Sequence, residues 1–569
     1  MRILFLTHAF NSMTQRLFVE LQELGHEVSI EFDIHDNFSL EAVELYQPDL
    51  IIAPFLKRAI PDELWRNHVC LVVHPGIRGD RGPSALDWAI LNGEQRWGVT
   101  VLQANAEMDA GDIWAFSEFQ LRADTKASIY RNEISQAAVD AVLRAVQRYQ
   151  TGDFAPQPQD YSDPEVNGEL QPLMQQSDRA IDWQQDDTQT VLRKIRCADG
   201  FPGVRDQLFG RELFLYDAHE EKLFRGRAGE VIARCGNAIC RATVNGAIWI
   251  GHLCDKQAEH PFKLPASILL QNEIAGIPEV QSDLDSGYRD IWYEEQGDVG
   301  YLHFPFYNGA MGSDQCERLR QAYIKARQRD TRVIVLMGGP NYWSNGMHLN
   351  LIEAAESPAD ESWRNINAID DLTLEIINTD SHLTVSALQG NAGAGGVFLA
   401  RACDEVWARE GVILNPHYKD MGNLYGSEYW TYLLPRYVGL ENVERITQGR
   451  LPMSAKEAHN LGLVNAILEQ DVSNFVVELK LRATALVNAS DYKQRLELKS
   501  QNRAGDEAHK PLQQYRDEEL ERMRLNFYGF DPSYHVARYN FVYKTPKSRT
   551  PITIARHRRI GRKLRKVWR

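Results

Sequence analysis

Leu-Gln-Gly-Asn-Ala-Gly-Ala-Gly-Gly-Val-Phe-Leu-Ala-Arg-Ala-Cys-Asp occupies residues 388–404, and its reading decides the fold of the second half of the chain. Glycines at 390, 393, 395 and 396 open an apolar run that ends in Cys403-Asp404. Without a Cβ, glycine lets backbone come close to a ligand. Amides at the start of such a run, read as a helix, converge where developing negative charge is stabilised. A second tight turn, Trp343-Ser344-Asn345-Gly346-Met347-His348-Leu349, lies upstream. Each turn follows an apolar strand, at 333–337 and 383–388.

Around this stretch stand 569 residues, enough for roughly three or four domains of about 150 residues each. Hydrophobic residues make up 43%, which supports large cores. The formal net charge of −15 speaks against nucleic acid as a partner and against membrane attraction. No apolar run is long enough to span a bilayer. The N-terminus enters a strand-like run directly and lacks a cleavage site, so no signal peptide is expected. Seven scattered cysteines fit a reducing compartment, and a cytoplasmic location is expected. Cys235, Cys240, His252 and Cys254 cluster locally, but their spacing fits no zinc pattern and no metal is expected.

The first third alternates strands and helices. Ile3–Leu6 is apolar, Leu17, Leu21 and Leu24 recur at helical spacing, and Gly25 reads as a C-cap. Strands follow at 50–53 and 69–73, the latter ending at His74. This pattern predicts a doubly wound parallel sheet, with ligands at the carboxyl ends of its strands. No Gly-x-Gly-x-x-Gly is present, so a dinucleotide is not expected. Residues 151–175 read as a linker, 176–275 as a small β-rich unit after a short helix, and 471–545 as a charged helical arm. The tail from Arg556 to Arg569 is strongly basic, a docking element for an acidic partner or a solvated terminus.

Specific motifs then add chemistry. His74-Pro75-Gly76-Ile77, Gly82-Pro83, Gly98-Val99-Thr100-Val101 and Met108-Asp109-Ala110-Gly111-Asp112-Ile113 follow in order. Arg179-Ala180-Ile181-Asp182-Trp183 and Phe201-Pro202-Gly203 follow them. Together these resemble the methionyl-tRNA and glycinamide formyltransferases over roughly residues 1–275. The resemblance implies 10-formyltetrahydrofolate as cofactor and His74 and Asp109 as catalytic residues. Histidine can hydrogen-bond or protonate a tetrahedral oxyanion near neutral pH, and a carboxylate can hold it charged. One departure stands out: the family's asparagine two residues before the histidine is Val72 here.

The two glycine turns of the second half resemble the oxyanion hole of the crotonase (enoyl-CoA hydratase/isomerase) superfamily. The resemblance implies coenzyme A as cofactor and the amides of Met347 and Gly395 as the oxyanion hole. Gly346 and Gly396 then approach the bound cofactor. Here too the acids depart, since Phe398 stands at the position of a hydratase Glu and His417 near that of the second acid. Hydration is therefore not expected. Segment 416–434 offers His417, Tyr418, Ser427, Glu428, Tyr429 and Tyr432 instead, with Tyr418 and Glu428 as acid/base candidates.

The pairing of these halves, with Pro416-His417-Tyr418-Lys419-Asp420-Met421-Gly422 and Gly426-Ser427-Glu428, resembles the HypX (HoxX) family of nickel–iron hydrogenase maturation proteins. That resemblance implies a carbon monoxide source for the hydrogenase iron: formyl transfer from 10-formyltetrahydrofolate to coenzyme A, then decarbonylation of formyl-CoA. Small-molecule substrates and hydrogenase maturation proteins are the partners it implies. The alternative is a formyltransferase for an amine or other acceptor, joined to a non-hydratase acyl-CoA-binding domain. A non-catalytic folate and CoA sensor and a pure partner-binding module are the remaining readings. The expected architecture is a multidomain α/β chain. It comprises a doubly wound folate domain (1–165), a β-rich domain (166–280), a crotonase-like β/α superhelix (285–475) and a helical arm with a basic tail (476–569).

Overall fold

The computed structural model describes residues 1–282 and 286–559. The chain divides into two units, one of residues 1–288 with 547–569 and one of residues 289–546.

The first unit is built on a six-stranded sheet in the order Glu27–Phe32, Arg2–Thr7, Leu50–Phe55, Cys70–His74, Arg96–Gln103, Ile113–Gln120. The first four strands are parallel, joined by crossovers through Ser12–Glu23, Asp36–Tyr46 and Asp62–Asn67. Arg96–Gln103 pairs antiparallel with both of its neighbours, Cys70–His74 and Ile113–Gln120, so the doubly wound sheet carries one reversed strand near that edge. The chain there turns back instead of crossing over. In helix Ser12–Glu23, Leu17 and Leu21 are buried, whereas Leu24 falls at the C-cap and is 60% exposed. Gly25 takes φ +81°, the left-handed conformation that ends a helix.

After helix Thr188–Arg196 comes an antiparallel sheet, ordered Val204–Leu208, Arg211–Glu221, Ala247–Cys254, Ala238–Ala242, Val231–Cys235. Cys235, Cys240 and Cys254 are buried thiols in it, and His252 bonds Asp217 at 2.9 Å. Among the described residues no cluster of three or more side chains is placed to hold a metal.

The C-terminal segment from Lys547 belongs to this first unit, although the sequence reading attached it to the helical arm. The reason is edge pairing. The Ile30 amide donates to the Ile554 carbonyl and the Phe32 amide to Thr550 Oγ1, so the segment covers the open side of the edge strand. His557 and Glu31, both 1% exposed, pair at 2.8 Å beneath it. Of the basic tail only Arg556, Arg558 and Arg559 lie among the described residues.

The second unit winds as a superhelix. Each turn sends one strand to a large sheet and the next to a small one. The large sheet runs Trp292–Gln296, Val299–His303, Val333–Gly338, Leu383–Leu388, Glu405–Arg409, Ala466–Leu468. The small sheet runs Tyr342–Ser344, Asn391–Gly393, Ile413–Asn415, Met453–Ser454. Both glycine turns follow neighbouring small-sheet strands, Tyr342–Ser344 and Asn391–Gly393, and the parallel pairing of those strands brings them together. Helices Val472–Val487, Tyr492–His509, Leu512–Tyr528 and Ser533–Val542 form the arm. No helix among the described residues is long and apolar enough to cross a membrane.

Candidate functional sites

In the first unit His74 ends its strand with its ring buried. Its Nε2 lies 2.7 Å from Asp80 Oδ2, and its Nδ1 lies 3.5 Å from Asp109 Oδ2. The first is a hydrogen bond; the second is an ion-pair distance. Asp109 takes φ +53° and accepts the Gly82 amide, which aims its carboxylate at His74. Gly76 makes the arrangement possible. A Cβ there would fall 2.4 Å from Asp80 Oδ2 and 2.5 Å from His74 Nε2. Burial opposes a charged His74, but the Asp80 hydrogen bond and the charges of Asp109 and Asp80 outweigh it and raise the pKa. Val72 lies on the same face of the strand and packs against the apolar cluster around Ile51 and Ala53, offering no donor.

The structure therefore brings His74 and Asp109 together and adds Asp80, which the sequence reading missed. Its signal was weak: a lone aspartate between Gly79 and Gly82, six residues after the histidine.

In the second unit the two glycine turns meet. A Cβ at Gly346 would lie 3.7 Å from the Gly395 amide nitrogen. Gly395 is the first residue of helix Gly395–Arg401, where an amide has no intrahelical acceptor. Met311 pairs with Met347 through the Gly346 carbonyl and the His348 amide, so the Met347 amide faces away from that pairing. Gly396 admits the Ser344 carbonyl, which a Cβ would meet at 2.2 Å, and its own carbonyl accepts Trp343 Nε1.

Glu428 sits directly over this turn. Its Oε1 lies 2.0 Å from where a Gly395 Cβ would be. Its Oε2 lies 2.6 Å from the Tyr418 hydroxyl. Phe398 stacks on the Tyr418 ring, centroids 5.7 Å apart, and is wholly buried. Burial and the Asp370 charge push the Glu428 carboxyl up to about 8, against the hydrogen bonds of Tyr418 and Ser427. Burial also pushes the Tyr418 phenol well above its ordinary range. His417 is buried and burial holds its pKa down. Ser427 and Tyr432 face other carboxylates, Asp370 and Asp506.

Residues 7–146 match the family model described as formyl transferase, 173–261 that of the formyl transferase C-terminal domain, and 301–526 that of enoyl-CoA hydratase/isomerase. Over 560 residues the chain is 59% identical to the hydrogenase maturation factor HoxX of Bradyrhizobium diazoefficiens, covering 98% of this chain and 97% of that one. The chain belongs to the HypX/HoxX family of hydrogenase maturation factors. A HypX crystal structure from Aquifex aeolicus, in complex with tetrahydrofolic acid, superposes with TM-score 0.95 at 49% identity, covering 98% of this chain and 99% of that one. A methionyl-tRNA formyltransferase from Syntrophus aciditrophicus is 28% identical over 202 residues, 35% of this chain and 63% of that one. HypX/HoxX proteins thus join formyltransferase and crotonase-like parts in one chain, as this one does.

Proposed function

We propose that this chain makes carbon monoxide for the active-site iron of nickel–iron hydrogenase, from the formyl group of 10-formyltetrahydrofolate by way of formyl-CoA. The observation that carries the reading is the Glu428–Tyr418 pair, seated over the amide turn at Gly395 with an aromatic ring where a hydratase needs a carboxylate. Such a site can polarise a thioester carbonyl and move one proton.

In the first unit, Asp80 occupies His74 Nε2, so Nδ1 is the working nitrogen, facing Asp109 and the less buried side. Held charged by two carboxylates, the imidazolium stabilises the oxyanion formed when the CoA thiol attacks the formyl carbon. The thiol proton passes to the leaving N10 nitrogen, with Asp109 placed to relay it. A fixed positive charge supplies what the missing side-chain donor at Val72 would have given.

In the second unit, the Met347 and Gly395 amides hold the formyl oxygen. Ionised Glu428 removes the formyl proton as the C–S bond breaks. CO departs, and Glu428 returns the proton to the thiolate, giving free CoA. A carboxyl of pKa about 8 is close to a thiol of pKa about 8.5, so it can take the proton and give it back. Phe398 keeps water from the carbonyl.

The test supplies 10-formyltetrahydrofolate and CoA to the purified protein and traps CO with reduced haemoglobin. A haem–CO spectrum that is lost in both H74A and E428Q is expected. Folate deformylation without CO would leave formyl transfer to another acceptor and remove the decarbonylase reading.

A further inference from the structure

Behind Glu428 lies a second layer of buried carboxyls to which no role has been assigned. Asp370 belongs to helix Pro358–Ile377 and Glu519 to arm helix Leu512–Tyr528; both are fully buried. They converge on the turn that carries Glu428. Asp370 accepts the Glu428 amide at 2.8 Å and the Ser427 hydroxyl at 2.8 Å. Glu519 accepts the Tyr429 amide at 3.0 Å and the Thr431 amide and hydroxyl at 2.8 and 2.5 Å. Met523 and Asn526, on the same face of the arm helix, receive the Gly426 and Tyr425 amides.

This turn needs holding. Glu428 and Tyr429 take φ +59° and +58°, consecutive left-handed residues that both carry bulky side chains. Each costs about 1–2 kcal/mol and persists only where the surroundings over-determine it. Tyr429 is also the N-cap of helix Trp430–Val438 and makes no side-chain cap bond. Glu519 caps that helix from another element through the Thr431 amide.

Proton counting sharpens the picture. The Ser427 hydroxyl has one hydrogen but lies 2.8 Å from Asp370 and 3.1 Å from Glu519. With its hydrogen on Asp370, the Glu519 contact requires a proton on Glu519. The Tyr418 hydroxyl likewise lies 2.6 Å from Glu428 and 3.0 Å from the Ser427 carbonyl. If it donates to the carbonyl, Glu428 must be the proton donor to Tyr418. Asp370 is the member with a cation nearby, Arg516 Nε at 3.9 Å.

We propose that Asp370 and Glu519 are positioning residues for Glu428: they clamp the turn 427–431, and the fixed negative charge of Asp370 keeps the resting Glu428 protonated. This rests on the reading of Glu428 as the formyl-proton base. The groups that face it are Tyr418 from its own segment, Asp370 from helix Pro358–Ile377, Cys316 from helix Ser313–Ala326 and Glu519 from the arm, while Arg516 and Asp371 act on Asp370. The ordering of the three carboxyls agrees, with Asp370 raised by burial to about 6 and Glu428 and Glu519 to about 8.

Two substitutions separate charge from geometry. D370N keeps an oxygen for the Glu428 amide, and the Ser427 hydroxyl can rotate to accept from the new amide group. E519Q must set an NH2 against a backbone N–H whichever way it turns. The experiment follows the protonated-carboxyl infrared band of Glu428, defined by subtracting E428Q, across pH in the full-length protein. The same samples report CO release from supplied formyl-CoA. In wild type the band should titrate near 8. In D370N the midpoint should fall by about one pH unit, and the rising limb of CO release should fall with it. E519Q should lower kcat at least about ten-fold with little change in KM, the mark of a misplaced group.

A D370N midpoint equal to wild type, or E519Q with wild-type kcat, overturns the proposal. If E428Q releases CO at the full rate, the base assignment fails, while the infrared titration still decides whether Asp370 tunes Glu428. Should D370N not fold, E519Q and a D371N control, whose half-exposed target carboxylate pairs with Arg516, carry the comparison.

Discussion

Replacing Gly395 with alanine tests the site at its tightest point. The new methyl would lie 2.0 Å from Glu428 Oε1 and 2.3 Å from its Cδ, where ordinary contact begins near 3.4 Å. Gly395 is helical, so alanine brings no backbone strain there, and its N–H is unchanged. The whole perturbation therefore falls on the Glu428 carboxyl, which must retreat by more than an ångström. That breaks its 2.6 Å bond with Tyr418 and takes it out of line with the amides. Misplacement on this scale costs about a hundred-fold in rate. A buried carboxyl that loses its partner costs roughly 1–3 kcal/mol of stability. The assay is CO release from formyl-CoA, with thermal unfolding alongside, for G395A, E428A and the double variant. Once the carboxyl is gone the methyl has nothing to displace. G395A in the E428A background should then cost less than about three-fold. An equal loss with and without Glu428, or G395A at the wild-type rate, refutes the placement of Glu428 over this turn.

Other expectations follow from the same geometry. F398A should open the pocket to water, so formyl-CoA yields formate at the expense of CO, measured as the product ratio; unchanged CO yield would show that the ring does not exclude water. It should also lower stability by about 3–5 kcal/mol, because Phe398 is wholly buried. D80N leaves a neutral acceptor but removes one of the charges that raise His74, so folate deformylation should fall off at lower pH than in wild type. An identical pH profile would remove Asp80 from the site. Glu428 and Glu519 have folded pKa values raised to about 8, so the folded chain holds protons the unfolded chain has released above the ordinary carboxyl value of 4.5. Stability therefore declines as pH rises from there through about 8. The melting temperature of E428Q relative to wild type should accordingly rise over that window; a pH-independent difference would contradict the raised pKa. H557A leaves Glu31 buried without its partner and should cost about 3–5 kcal/mol, seen as earlier melting and faster proteolysis of the segment after Lys547.

The sequence alone carried the two-part organisation, because its signals are local. A strand ending in His74, the Asp109 turn and the paired glycine turns are each legible within a few residues. Once Phe398 and His417 stood in place of the usual acids, the sequence offered Tyr418 and Glu428 as acid/base candidates among several polar groups of segment 416–434. Only the tertiary structure decided what surrounds them. Asp80 takes Nε2 of His74 because Gly76 leaves the space. Asp370 and Glu519 sit inside long helices, distant in sequence from the turn they hold, and nothing in their neighbours marks them. The segment after Lys547 read as part of the arm, yet it covers the edge strand at Glu27–Phe32, since an open strand edge is satisfied by whichever chain reaches it. Local chemistry is written in short spacings. The protonation of a buried carboxyl depends on the charges and donors that folding brings to it from distant segments, and no short stretch of sequence contains them.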